Sequence, residues 1–126
     1  MTKEEKQLLL KDLCTRLPYG VKLRYVEDLV VKKESHIITL NNIYLEHILN
    51  GDADIKPYLR PMSSMSEEEQ RTLDSMCNGV EMVSRLSGLK MFDKAFDWLY
   101  SKHLDIHGLI EKGLALEAPE DMYKNE

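Results

Sequence analysis

From Leu9 to Leu17 apolar residues return every three or four positions; from Val21 to Tyr25 they return every second one. The first interval is that of a helix with one buried stripe, the second that of a strand with one wet face. Thr2 and Glu5 stand at capping-box spacing and open the helix. Leu9, Leu10, Leu13, Cys14 and Leu17 then share its predicted inner face, with Leu8 at the margin. Pro18 ends the helix, because it disfavours the α conformation at Leu17 and has no N–H to donate.

Val21, Leu23 and Tyr25 alternate with Lys22 and Arg24, which predicts a strand, and Glu27-Asp28 is a turn candidate. Leu29-Val30-Val31 is a short apolar run, and Lys32-Lys33-Glu34-Ser35 a polar break. His36–Leu40 and Ile43–Leu45 flank Asn41-Asn42 and read as a hairpin, since Asn tolerates positive φ. Glu46–Leu49 fits strand or helix, and Asn50-Gly51-Asp52 closes the unit. Ile55–Met62, bracketed by Pro57 and Pro61, is predicted as an edge strand or an extended crossing, not a central strand.

Ser66 and Glu69 form a second capping box, and Leu73, Met76, Cys77 and Val80 keep helical spacing towards a C-cap at Asn78-Gly79. Val80–Leu86 fits helix or strand, and Ser87-Gly88 closes it. A helix from about Leu89 to His103 carries the one Trp and both Phe residues. On a helical wheel Met91, Phe92, Ala95, Phe96, Trp98 and Leu99 form one arc, and Asp93, Lys94, Asp97, Tyr100 and Ser101 the other. The aromatic arc predicts a lid over the sheet, held by Phe92, Phe96 and Trp98. From Pro119 the tail is polar and predicted to fray.

Helix, meander, helix, helix is an α+β plan: a single domain spanning 1–126, with an antiparallel meander of three to five short strands packed by an N-terminal and two C-terminal helices. The length of 126 residues suffices for one core, and 43% apolar against 31% charged residues is a globular balance. Net charge is −5, divided unevenly: ten Lys/Arg against nine Asp/Glu in residues 1–62, seven against thirteen in 63–126. An acidic second half repels phosphate backbones and confines any nucleic-acid site to a local patch. No apolar run is long enough to span a membrane and no export signal opens the chain, so the expectation is a cytoplasmic protein with Cys14 and Cys77 reduced and buried.

Three word strings stand out: Leu17-Pro-Tyr-Gly-Val21, Ile55-Lys-Pro-Tyr-Leu-Arg-Pro-Met-Ser-Ser-Met-Ser-Glu-Glu-Glu69, and Asp97-Trp-Leu99 followed by His103–Pro119. Through them the chain resembles small uncharacterised proteins of gut-bacterial genomes and their phages or mobile elements. The resemblance implies a cytoplasmic or phage-associated accessory protein and brings no catalytic residue or cofactor with it.

The residues offer three sites. Tyr58, Leu59, Arg60, Met62 and Met65 form a candidate protein interface, since Tyr, Arg and Met favour interfaces and proline-fixed segments dock at small entropic cost. A non-enzymatic interaction module is the leading expectation. Arg16, Lys22, Arg24, Lys32 and Lys33, near Tyr19 and Tyr25, form a candidate nucleic-acid patch, with cations for phosphates and a tyrosine for a base. This makes a small nucleic-acid-binding modulator the alternative. His103, Asp105 and His107 are the remaining candidates, as ligands of a metal-dependent enzyme. Gly108 turns the chain there, so the helix exit is the favoured reading. No nucleophile elbow, phosphate loop or dinucleotide fingerprint occurs, and no cofactor is expected.

Overall fold

Two halves of the sheet are built differently, one antiparallel and one parallel. In the computed structural model, residues 2–28, 33–50, 55–77 and 85–123 are described. Helix α1 (Lys3–Arg16) begins at the Thr2–Glu5 capping box, with both reciprocal bonds at 3.0 Å. It passes into a 3₁₀ turn, Leu17–Tyr19, and ends at Gly20 in the left-handed region at φ 69°. Strands β1 (Lys22–Asp28) and β2 (Lys33–Thr39) form an antiparallel hairpin, Lys22 opposite Thr39 and Asp28 opposite Lys33.

The predicted hairpin at Asn41-Asn42 does not exist. Asn41 instead caps helix α2 (Asn42–Leu49), its side chain accepting the Tyr44 N–H at 2.9 Å. Asn serves a cap as readily as a turn, and Leu45 and Ile48 supply the buried stripe. Glu46–Leu49 is thus helical, and Lys33–Ser35 is strand rather than a break. Leu29–Val31, Gly51-Asp52, Asn78-Gly79 and 80–84 lie outside the described residues.

Strand β3 (Ile55–Leu59) pairs antiparallel with β1 through Ile55, Lys56 and Pro57, then parallel with β4 (Leu116–Glu117) through Tyr58 and Leu59. The sheet is mixed, four-stranded, in the order β2-β1-β3-β4. The all-antiparallel meander and the exclusion of Ile55–Met62 from the interior are therefore corrected. Pro57 is tolerated because the strand changes partners beside it, so a proline without an N–H has a ladder on one side only.

A second 3₁₀ turn, Met62–Ser64, leads to α3 (Glu67–Cys77), where the Ser66–Glu69 capping box is complete. Helix α4 (Arg85–Ser101) contains Ser87 and Gly88 rather than starting after them. Among the described residues its main contacts are with α3 and α1 rather than the sheet, and the side chain of Phe92 lies outside the described ones. Among its described side chains Ala95, Leu99 and Tyr100 are buried, whereas Phe96 is 46% exposed. The inner stripe runs along one side of the expected arc and takes in a tyrosine assigned to water.

One hydrophobic cluster joins Leu9 and Leu13 of α1, Leu45 and Ile48 of α2, and Leu23, Ile55 and Leu59 of the sheet to Leu109, Ala115 and Tyr123. Helices α1 and α2 thus cover one sheet face. The tail is not frayed where described: Tyr123 is 7% exposed and stacks on the His103 ring, centroids 3.8 Å apart. On α1 the buried side is Leu9, Asp12, Leu13 and Arg16, leaving Leu10 and Cys14 exposed. The expected burial of Cys14 is therefore corrected; the side chain of Cys77 lies outside the described ones. The stripe turns towards Asp12 and Arg16 because the two charges neutralise one another.

Candidate functional site

Strand alternation separates the sheet residues into two sets. Leu23, Tyr25, Ile38, Ile55 and Leu59 meet the helical core. Lys22, Arg24 and Val26 of β1, Ser35, Ile37 and Thr39 of β2, and Lys56 and Tyr58 of β3 have the opposite parity. None of this second set belongs to the core cluster, and all are half-buried or exposed, with Ile37 62% exposed. Among the described residues no helix of the core cluster covers this side, which is the open face of the sheet.

Its charge is one-sided. Arg24 lies between Ile37 on β2 and Lys56 on β3 in the cross-strand register. Lys22 stands two residues away, its Nζ 3.2 Å from the Thr39 hydroxyl. Those eight positions hold three cations and no carboxylate; Asp28 and Lys33 follow in the same parity at the far end, paired through the backbone. The Nε of Arg24 is shut from water and has no hydrogen-bond partner among the described residues. Tyr58 ends the row beside Leu116 of β4. An open, cationic face with an aromatic at one end can hold a phosphate chain and stack a base.

Lys22 and Arg24 are thus brought together and joined by Lys56 and Tyr58, which the sequence pattern does not place with them. Lys56 sits alone between Ile55 and Pro57, so only the strand register could have found it. Arg16 does not join them: it is 0% exposed and belongs to a buried ion cluster. Lys32 lies outside the described residues, and only the backbone of Lys33 is described.

In that cluster, Arg16 Nε and Nη2 both donate to the Asp12 carboxylate, and Nη2 also donates to the Leu104 carbonyl at 2.7 Å. The Tyr100 ring lies 4.8 Å from the guanidinium carbon. His107 Nδ1 is 2.8 Å from Asp12 Oδ2. Burial, and after it the Asp12 carboxylate, push the Tyr100 phenol above its ordinary pKa. Nη1 of Arg16 is buried without a partner among the described residues. The cluster pins the loop after α4 to α1.

The three candidate metal ligands do different work. His103 takes the left-handed position after α4 at φ 62°, where its N–H donates to the Tyr100 carbonyl and that of Leu104 to the Leu99 carbonyl. This is a Schellman ending with His where Gly is usual. Asp105 accepts the Leu109 and Ile110 N–H groups, at 2.8 and 3.0 Å, and His107 holds Asp12. No group of three His, Cys, Asp or Glu among the described residues is arranged to hold a metal ion.

The five candidate interface residues do not form one surface. Tyr58 is on the open sheet face, Leu59 is 0% exposed in the core, Met62 is exposed and Met65 half-buried. Arg60 is a clasp. Its guanidinium grips Glu69 through two bonds of 2.9 and 2.7 Å and also donates to the Ser64 and Lys102 carbonyls. Its N–H and carbonyl pair with His103 and Asp105, both at 2.8 Å. The Arg60 bonds hold the Glu69 carboxyl down at about 2. A cleft of about 700 Å³ opens between this clasp, His103 and Tyr123. The donors of Arg60 are spent on the protein, which leaves the cleft without a free fork for a ligand.

No helix among the described residues is long and apolar enough to cross a membrane. Comparison with protein-family models, with curated proteins and with solved structures gives no match.

Proposed function

We propose that the protein is a non-enzymatic binding module that takes a single-stranded nucleic acid on its open sheet face. The observation that carries this reading is the row Lys22, Arg24 and Lys56, ending at Tyr58 on the sheet face that no helix of the core cluster covers among the described residues, without a carboxylate among those positions. Cations directly opposite one another across strands repel, and that cost is offset when a phosphate lies between them. A strand suits the site better than a duplex, because a tyrosine on a flat sheet reaches only an unpaired base. The chain's net negative charge limits contact to this patch.

The test is fluorescence anisotropy with labelled single-stranded RNA and DNA, a duplex and an acidic peptide, across a salt series. Single strands bind, with log K falling against log salt at a slope of about −2, the value for three phosphate contacts on a single strand. Arg24→Glu with Lys56→Glu abolishes the binding. Absence of binding at low salt contradicts the proposal, and so does equal binding of the acidic peptide, which makes the partner a protein.

A further inference from the structure

The β1–β3 ladder stops one pair short of its register. Leu23 faces Pro57 and Arg24 faces Lys56, so the next pair is Lys22 with Tyr58. These two do not pair. The hydroxyl of Tyr123 stands between them, accepting the Lys22 N–H and donating to the Tyr58 carbonyl, both at 2.8 Å. One phenol oxygen thus replaces a direct ladder bond, and β3 departs here towards β4, while Ala118 N–H bonds the Leu59 carbonyl at 2.8 Å. The Tyr123 ring is held in turn by its stack on His103.

Lys22 and Tyr58 are the cation and the aromatic at the end of the open face. We infer that Tyr123 is a positioning residue, a strut whose hydroxyl sets the separation between Lys22 and Tyr58 so that a phosphate and its base engage both. This inference rests on the single-strand reading of that face. Tyr123 touches no ligand, since it lies on the helical side of the sheet within the core cluster. Without its hydroxyl, Lys22 N–H and Tyr58 C=O close directly on one another or go unpaired, and either outcome moves Tyr58 relative to the cations.

The experiment is a double-mutant cycle on Tyr58→Ala and Tyr123→Phe, read by anisotropy with a single-stranded oligonucleotide well below every variant's melting temperature. Hydrogen exchange at the Lys22 amide reports the bridge itself: slow in the parent chain, faster in Tyr123→Phe. Tyr58→Ala weakens binding about tenfold, the loss of one stacked base. Tyr123→Phe weakens it about threefold to tenfold in the parent background and has no further effect once Tyr58 is Ala. A purely structural role instead gives the same loss in both backgrounds, or none in either, and overturns the strut. If the parent chain binds no single strand at all, the reading of the face fails first. If it binds and Tyr58→Ala weakens it while Tyr123→Phe does not, only the strut fails.

Discussion

Arg24 and Lys56 are directly opposite one another on the β1–β3 ladder, with like charges on the same open face. Favourable cross-strand pairs contribute about 0.2–1 kcal/mol, and like charges directly opposite destabilise the sheet instead. Lys56→Glu should therefore raise the unfolding midpoint in urea while it weakens single-strand binding. A gain in stability together with a loss of binding marks a face selected for a ligand; a loss of both shows that Lys56 supports the fold.

The buried pair on α1 gives the opposite behaviour. Asp12→Ala leaves the buried Arg16 guanidinium without its carboxylate, and Arg16→Ala leaves the buried Asp12 with His107 alone; each should cost about 3–5 kcal/mol. The double change to Leu and Met should cost far less than the sum, because no uncompensated charge remains. Urea denaturation of the three variants measures this coupling. Additive losses would show that the two residues act separately.

Burial along α4 orders a second pair of substitutions. Leu99 is buried and Phe96 is 46% exposed. Leu99→Ala should cost about 2–5 kcal/mol and Phe96→Ala under about 1 kcal/mol. The reverse order in thermal melts would restore Phe96 as a core anchor.

Glu69 predicts the acid behaviour. Its carboxyl is lowered from the usual 4.5 to about 2, chiefly by the Arg60 side chain. A depressed folded value means stability that is present above the unfolded value and lost as pH falls from about 4.5 towards 2. Because the pair is partly solvated, the contribution is about 1 kcal/mol rather than the full shift. Glu69→Gln keeps a residue suited to the capping box and should flatten stability against pH in that window. An unchanged slope would assign the acid sensitivity to other carboxylates.

Local rules recovered what is local. Both capping boxes, the stop at Pro18 and strand β1 were legible because each depends on residues within one turn or on simple alternation. The errors arise where distant residues decide. Asn41 serves a cap or a hairpin equally well, and only the position of α2 against the core selects the cap. Arg16 looked like a surface cation because its partners, Asp12 apart, are contributed by Leu104 and Tyr100 far along the chain. Pro57 argued for an edge, since a change of strand partner midway is invisible to periodicity. Tyr123 sits in a polar tail, and its role depends on a gap between two strands distant in sequence, 101 residues from Lys22 and 65 from Tyr58. The cationic sheet face is half visible in the sequence: Lys22 and Arg24 come from alternation, Lys56 and Tyr58 join them through register alone.

The most direct test of the central claim is a titration of isotope-labelled protein with a short single-stranded oligonucleotide, followed by amide chemical shifts at low salt. The account predicts shifts concentrated at Lys22, Arg24, Ile37, Lys56 and Tyr58, with Leu9, Leu13 and Leu45 unmoved. Shifts centred on Met62 and Met65, or none at any residue, would contradict it.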